Sequence, residues 1–435
     1  MGKFTEFIEK HIAPMANKLG RNKYVVALQN SFFAMIPFIT VGSLALVLIS
    51  PPADYTAMGP GVARTLMQGW QAFADFTGPT FNFINMVTMN LLAFWISAGM
   101  GLNLAKQHKM TPHMPILITT MSFLIWATMN PEGSLTFDYL GGTGLFVALV
   151  ASIISFELYR MLTDKKVGHI DLSGAGVPPA LADSLGNLVP VILIFVLFGV
   201  VGQILMAITG SPIPELMTIV MSPLMGLVDS IGGIIFLAVL VMILWWFGIH
   251  DSVITGPLDV FLMNNYSANM AAFTAGTAAV ALPYIVNEPF WWTFMTIGGS
   301  GATLGLAFLA MTSKSKQIKT IGRLGVVPAL FNINEPLIFG LPIMYNPTLL
   351  IPFIVAMPLN GVLTYICMAT GLVNKSFAYG GWNMPAPISA FIATLDWRAI
   401  VLTVVLIVID MVVYLPFFKV YEKQKLAEEA GAVKE

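Results

Sequence analysis

The sequence has little of what a soluble enzyme uses for catalysis. It has one cysteine, Cys367, which lies in an apolar stretch, so no intrachain disulfide can form and the thiol is expected to be inert packing. It has only five histidines and neither CxxC nor HExxH spacing, so no metal or other cofactor is expected. Charged residues make up only 10% of the 435 residues, and no basic–aromatic cluster predicts nucleic-acid binding.

Apolar residues dominate instead, at 57% of the chain. About 20 such residues in a row span the ~30 Å hydrocarbon core of a bilayer. The sequence therefore predicts an all-α polytopic membrane protein with eight to ten spans. The longest apolar runs are residues 25–49, 81–105, 144–162, 188–208, 231–249, 349–372 and 400–418.

Other segments are irregular. The spacing of apolar residues in 1–23 predicts an amphipathic helix on the membrane surface. Residues 255–286 are rich in small and polar side chains, which favours a re-entrant segment, with a packed interior helix as the alternative. Proline and glycine concentrate in the second half, so we divide the chain into a scaffold half, 1–210, and a substrate-binding half, 211–435.

Basic residues predict the orientation of the chain in the membrane. Lysines follow the apolar runs at Lys106, Lys109, Lys165 and Lys166, and the N-terminal segment is also basic. Because cytoplasmic loops carry the excess of Lys and Arg, these segments and the N-terminus are predicted to be cytoplasmic. The basic tail after Phe418 predicts a cytoplasmic C-terminus as well.

One carboxylate, Glu335, lies in Asn332-Ile333-Asn334-Glu335-Pro336. An ionisable group in so apolar a chain marks a functional site by default. Pro336 disfavours helix at the residue before it, so Glu335 is predicted at a helix break, where it would line a cavity. We interpret Glu335 as a group that binds a solute hydroxyl or accepts its proton, with Asn332 and Asn334 as further contacts. A helix cap or a structural ion pair is the alternative reading.

His250 ends the apolar run at 231–249. Its imidazole could donate a hydrogen bond to a solute hydroxyl or to Glu335, whereas a histidine that merely caps a helix end is the alternative. Asp251 is a further candidate solute contact. Adjacent side chains on a helix point apart, so Asp251 need not orient the His250 ring.

Two glycine-containing segments are further candidates. Gly299 lies in Gly298-Gly299-Ser300-Gly301-Ala302, where small residues permit either close helix packing or close approach of a ligand. In Gly380-Gly381-Trp382-Asn383, the Trp382 indole could stack on a sugar ring while the Asn383 amide binds hydroxyls. An interfacial tryptophan is the alternative.

Three motifs occur in order along the chain, namely Gly248-Ile249-His250, Gly298-Gly299-Ser300-Gly301-Ala302-Thr303-Leu304 and Asn332-Ile333-Asn334-Glu335-Pro336. With the opening stretch 7–14, they resemble the enzyme IIC component of the phosphoenolpyruvate-dependent sugar phosphotransferase system, lactose/cellobiose/diacetylchitobiose branch. The resemblance covers essentially the whole chain.

The resemblance implies a homodimer with ten spans, re-entrant hairpins and amphipathic surface helices in the bacterial plasma membrane, with both termini cytoplasmic. The N-terminal half would dimerise, and the C-terminal half would bind a β-linked disaccharide and present its 6-hydroxyl for phosphorylation. By motif, the family's histidine and glutamate fall on His250 and Glu335, and its glycine turn and tryptophan loop fall on Gly299 and Trp382.

The phosphoryl donor is expected on a separate protein. Phosphoryl transfer in this system uses a phosphocysteine, and this sequence has no exposed, activated cysteine. A phosphorylated IIB subunit would therefore dock on the cytoplasmic face, near Lys106, Lys109, Lys165 and Lys166. Whether the chain by itself counts as an enzyme is left open.

A secondary transporter is the main alternative function, with Glu335 as the carboxylate that couples sugar movement to a proton or ion. The sequence does not choose among cellobiose, diacetylchitobiose and lactose.

Overall fold

The structure is a computed structural model that describes Lys18 and residues 21–130, 134–168, 170, 176, 185–344 and 346–432. Its regular elements are helices, which confirms the predicted fold class. The α-helices are α1 (Lys23–Leu48), α2 (Val62–Met89), α3 (Leu92–Gln107), α4 (His113–Thr128), α5 (Leu145–Asp164), α6 (Leu188–Thr209), α7 (Ile213–Val228), α8 (Ile231–Trp246), α9 (Ser252–Thr274), α10 (Leu304–Met311), α11 (Lys316–Leu330), α12 (Glu335–Gly340), α13 (Pro347–Ala369), α14 (Ala386–Thr394) and α15 (Trp397–Ala432). Short 3₁₀ turns lie at Tyr55–Ala57, Gly142–Gly144 and Ala279–Ala281, and a π-helix at Phe290–Met295.

By length and composition, five of the described helices are long and apolar enough to cross a membrane. The number rises to seven if two bent helix pairs each form one span, α2 with α3 at 42° and α7 with α8 at 77°. The number of spans therefore stays a prediction, as does the surface helix at 1–23, which lies largely outside the described residues.

Some predicted segments differ in the structure. The apolar run at 81–105 is interrupted between α2 and α3, because the chain turns at Asn90 and Leu91. The polar stretch from 255 begins as the single helix α9, which agrees with the packed-helix alternative over its first part. The segment after Glu288 is a π-helix, a set of turns and the short helix α10 rather than one continuous helix.

The chain folds as two compact units. The smaller unit comprises Arg21–Phe38 and Met86–Leu224, and the larger unit includes Ile39–Asn85 and the chain from Met225. The proposed functional division at residue 210 is a separate matter and stays a prediction.

One end of the smaller unit is organised around Glu157, near the end of α5. Its carboxylate lies 2.7 Å from Lys23 Nζ at the start of α1 and accepts a 2.6 Å hydrogen bond from Arg160 NH2. The side chain of Gln107, at the end of α3, donates to the Lys23 carbonyl at 2.9 Å. The start of α1 and the ends of α3 and α5 therefore lie together, which brings the cations that follow α3 and α5 to the same end of this unit.

The larger unit has an extended apolar core. It is formed by side chains of α8, α10, α13 and α15 together with the π-helix, including the fully buried Phe290, Phe294, Phe353 and Tyr414. Between apolar helices in a bilayer, close packing and interhelical hydrogen bonds replace the hydrophobic effect as the source of association. This core supports the turns that carry the glycine and Asn-Glu-Pro motifs.

Carboxylates near the end of α15 fix the start of α11. Glu422 Oε1 accepts hydrogen bonds from Ser313 Oγ at 2.5 Å and from Lys314 N at 2.7 Å. Glu429 Oε1 accepts from Ser315 Oγ at 2.7 Å. Carboxylates at a helix N-terminus satisfy free N–H groups and complement the helix dipole. The start of α11, whose other end leads to the Asn-Glu-Pro motif, is therefore held to α15.

Candidate functional site

Asn332 joins three segments of the larger unit. It follows α11 with a φ of 60°, a left-handed conformation that asparagine adopts more readily than most residues. Its Oδ1 accepts a 2.8 Å hydrogen bond from Gly298 N, and its Nδ2 donates to the carbonyls of Trp292 at 3.1 Å and Trp382 at 2.7 Å. The Asn332 amide thus ties the Asn-Glu-Pro segment to the glycine turn and to the tryptophan loop.

Asn334 is buried and also bonds to the glycine turn. Its Nδ2 donates to the Ser300 carbonyl and to Thr303 Oγ1, both at 2.8 Å. Gly299 has a φ of 94°, and a Cβ added there would collide with the Asn334 side chain. Glycine is therefore required at position 299 both for its backbone conformation and for the close approach of Asn334.

Glu335 is the first residue of α12, and its side chain is exposed. Pro336 stands in the first turn, where its missing N–H costs no helical hydrogen bond. The predicted helix break at Glu335 is confirmed, since α11 ends at Leu330 and α12 begins at Glu335. The carboxylate is thus available to a ligand.

The structure corrects the expectation for Asp251. His250 Nδ1 lies 2.8 Å from Asp251 Oδ1, so Asp251 does orient the ring. The spacing argument fails because both residues belong to the connection between α8 and α9, with Asp251 at the N-cap of α9. Asp251 Oδ2 accepts a 2.6 Å hydrogen bond from Ser300 Oγ, so the same carboxylate joins His250 to the glycine turn.

The charges around His250 follow from this arrangement. The His250 side chain is 57% exposed, whereas that of Asp251 is 10% exposed. The hydrogen bond to Asp251 raises the pKa of His250 in the α8–α9 connection, and the negative charge of Glu335 adds to the shift. Asp251 thus fixes the orientation of the His250 ring through Nδ1.

The tryptophan loop, residues 380–383, is joined to the site by a backbone carbonyl. The Trp382 carbonyl bonds to Asn332, while its side chain is half-buried and that of Asn383 is exposed. Hydrogen bonds thus connect Trp382, Asn332, Asn334 and the glycine turn, and Glu335 directly follows Asn334 in the chain. The roles of all these residues toward a sugar stay predictions.

Two hydroxyl residues of the site were not singled out in the sequence. Ser300 donates to Asp251, and Thr303 Oγ1 accepts from Asn334 and donates to the Gly298 carbonyl at 2.7 Å. The sequence feature that could have indicated them is the presence of two hydroxyl residues, three positions apart, in the glycine-rich motif at 298–304. Such hydroxyls can satisfy polar groups that a tight turn leaves unpaired.

The similar Asn287-Glu288-Pro289 segment has a different environment. Asn287 Oδ1 accepts a 3.1 Å hydrogen bond from Phe290 N, the first residue of the π-helix. Glu288 is 5% exposed, in contrast to the exposed Glu335. Of these two motifs, only the one at Glu335 presents its carboxylate to solvent.

Comparison with known proteins identifies the family. The family model described as "Phosphotransferase system, EIIC" matches residues 29–356. This chain belongs to the EIIC family. The EIIC chain is thus a sugar permease of the phosphotransferase system, a membrane protein whose function involves a sugar and a IIB component.

Relatives resemble the EIIC chain over nearly its whole length. The lichenan permease IIC component of Bacillus subtilis strain 168 is 31% identical, over 99% of this chain and 96% of that protein. The cellobiose-specific EIIC component of Geobacillus stearothermophilus is 32% identical, over 99% and 96%. The crystal structure of the transporter ChbC, the IIC component from the N,N'-diacetylchitobiose-specific phosphotransferase system, has a TM-score of 0.88 at 29% identity and covers 98% of this chain and 99% of that one.

Proposed function

We propose that this EIIC protein carries a β-linked disaccharide of the cellobiose or diacetylchitobiose type across the bacterial plasma membrane and presents its 6-hydroxyl to phosphorylated IIB. The main support is the arrangement of an exposed carboxylate, Glu335, and an oriented imidazole, His250, around one hydrogen-bonded set of turns. The names of the cellobiose and diacetylchitobiose relatives support the sugar class.

In the proposed reaction, the C6 hydroxyl oxygen of the sugar attacks the phosphorus of the IIB phosphocysteine. The phosphorus–sulfur bond breaks, the cysteine leaves as a thiolate, and the hydroxyl proton passes to the EIIC chain. Glu335 would accept a hydrogen bond from the hydroxyl and orient it, and the His250 imidazole would take the proton. Transfers of this kind depend mainly on positioning and on stabilisation of charge.

The two asparagines of the proposed site are already hydrogen-bonded within the protein. Asn332 and Asn334 each use both Nδ2 hydrogens within the protein, so their part in sugar binding would be through their oxygens or through the shape they give the turns. Gly299 would bring backbone close to the sugar, and Trp382 with Asn383 would cover a ring. Asp251 would act through His250.

We further propose that IIB docks at the basic end of the smaller unit. Four lysines are exposed there: Lys106 in the last turn of α3, Lys109 just after α3, and Lys165 and Lys166 just after α5. Cations at a docking surface attract a phosphorylated, negatively charged partner and raise the association rate. This end would be cytoplasmic, with both termini on the same side, and the N-terminal half would form a homodimer.

Binding measurements on the purified protein test the sugar class. Cellobiose, diacetylchitobiose, lactose and maltose are titrated by calorimetry into the detergent-solubilised EIIC chain. We expect saturable binding of at least one β-linked disaccharide and weaker binding of the α-linked maltose. Preferential binding of maltose, or no binding of any β-linked sugar to folded protein, would contradict the proposed substrate class.

A further inference from the structure

Tyr414 lies in α15, behind the glycine turn, and neither the sequence motifs nor the proposed reaction assigns it a role. The side chain is fully buried in the core of the larger unit. Its hydroxyl donates a 2.7 Å hydrogen bond to the carbonyl of Gly301, in the middle of the turn. A tyrosine this deep in an apolar core normally requires such a partner, and here the partner belongs to the segment that carries Ser300.

Helix α15, which carries Tyr414, is held by contacts with α13 and α10 close to this residue. One turn earlier, Asp410 Oδ2 accepts a 3.0 Å hydrogen bond from Asn360 Nδ2 of α13. Gly305 of α10 packs directly on the backbone of α15 at Asp410 and Met411, with no room for a Cβ. The Tyr414 hydroxyl therefore projects from a helix that is held on two sides.

From the Gly301 carbonyl, a continuous set of contacts reaches the proposed reacting groups. Ser300, the preceding residue, donates through Oγ to Asp251, which bonds to His250 Nδ1. The Ser300 carbonyl accepts from Asn334, the residue before Glu335. A displacement of the turn at Gly301 would thus act on His250 and Glu335 together.

We propose that Tyr414 is a positioning residue for phosphoryl transfer, acting through the Gly301 carbonyl on Ser300 and thereby on the His250–Asp251 pair. This inference rests on the proposed function. A reacting group displaced by a fraction of an ångström loses much of its effect, so rigid support of this kind matters more for the chemical step than for binding.

The test is a double-mutant cycle with Tyr414→Phe and Ser300→Ala in proteoliposomes supplied with phosphorylated IIB. Tyr414→Phe keeps the ring and leaves the buried Gly301 carbonyl without its partner, so we expect kcat to fall about tenfold. The KM for sugar is expected to stay close to that of the wild type, whereas the Tm should fall by a few degrees because the buried carbonyl is left unpaired. Because both substitutions interrupt one pathway, their combined loss should be well below the product of the single losses.

The matched control is Tyr365→Phe. This tyrosine is on α13, and its hydroxyl makes a longer, 3.4 Å contact with the Asp229 carbonyl, away from the glycine turn. Tyr365→Phe should lower kcat only slightly. In the double variant with Ser300→Ala, the loss of kcat should equal the product of the two single losses. Wild-type kcat in Tyr414→Phe, or independent losses in the double variant, would overturn the role of Tyr414. If wild-type protein transfers no phosphoryl group to any sugar, the proposed function fails, and the role of Tyr414 in transfer fails with it.

Discussion

Asp251 Oδ1 lies 2.8 Å from Nδ1 of His250, and the other oxygen of the same carboxylate accepts a hydrogen bond from Ser300. A carboxylate that holds the Nδ1 side of an imidazole in this way orients the ring, an arrangement used by many acid–base sites. The pairing therefore favours a role for His250 in acid–base chemistry over the alternative that it only caps a helix end.

Replacement of Asp251 by Asn should therefore change the pH profile of phosphoryl transfer. The Asp251 hydrogen bond raises the pKa of His250, and a protonated His250 cannot accept a proton. Activity of the wild type should accordingly rise with pH as His250 loses its proton. In Asp251→Asn the acidic limb should move to lower pH, with a lower maximal rate, because the group that raised the pKa has gone.

The pH profiles are measured as kcat/KM for IIB in parallel preparations, so that the titration of IIB itself cancels. Asp164→Asn, an exposed carboxylate at the end of α5, is the control and should leave the profile unchanged. An acidic limb that stays in place in Asp251→Asn would exclude His250 as the titrating acceptor.

Glu335→Gln should affect phosphoryl transfer and sugar binding to different extents. The amide keeps the size of the side chain and one acceptor oxygen but loses the negative charge that strengthens the hydrogen bond from the sugar hydroxyl. We expect phosphoryl transfer to fall about a hundredfold, while the dissociation constant for sugar changes by a much smaller factor. The comparison uses calorimetry and single-turnover transfer on the same preparations.

Glu215→Gln is the control for this charge change, since Glu215 lies in the smaller unit near Tyr139. Equal losses of binding and transfer in Glu335→Gln would make Glu335 a binding group only.

Gly299→Ala should damage the site because the added Cβ collides with Asn334. The same substitution at Gly276 separates this collision from the effect of backbone strain. Gly299 and Gly276 share a φ of 94°, but an added Cβ collides with Asn334 at position 299 and meets nothing within 4 Å at position 276. Both alanine variants should bear the backbone strain of a positive φ, about 1–3 kcal/mol, whereas only Gly299→Ala should also displace Asn334. We expect a small fall in Tm for Gly276→Ala, and a larger fall in Tm together with a large loss of transfer for Gly299→Ala. Comparable activity in the two variants would show that the Gly299–Asn334 contact is unimportant.

Substitution of the four exposed lysines at Lys106, Lys109, Lys165 and Lys166 by alanine should weaken docking of IIB. The KM for phosphorylated IIB should rise about tenfold at low salt and approach the wild-type value at high salt, because screening removes the attraction. The control substitutes two exposed cations near the end of α15, Lys419 and Lys423. A larger effect of the control than of the four-lysine variant would place the docking surface elsewhere.

The sequence predicts the helices of this fold better than it predicts the site. Long apolar runs identify α1 and α6, and Pro336 predicts the break at Glu335, because these signals act locally along the chain. The bend between α2 and α3 has no comparable signal, since Asn90 at the turn is one of several asparagines spread along the run at 81–105. The errors arise where structure depends on contacts between distant segments.

The site shows the same limit. The His250–Asp251 pairing was missed because the argument assumed that both residues lie on a helix, whereas α9 begins only at Ser252. Ser300 and Tyr414 reach the site through segments that are distant in sequence, so no spacing rule could reveal them. Glycine and asparagine motifs indicated which segments matter but not how their side chains bond.

Group translocation is tested most directly by the chemical form of the sugar that enters proteoliposomes containing this EIIC chain. Radiolabelled cellobiose and diacetylchitobiose are supplied outside, with or without phosphorylated IIB inside, and the contents are analysed for free and phosphorylated sugar. The proposed function predicts accumulation of sugar 6-phosphate that requires IIB and is lost in Glu335→Gln. Accumulation of unmodified sugar, driven by a proton or sodium gradient and indifferent to IIB, would contradict it.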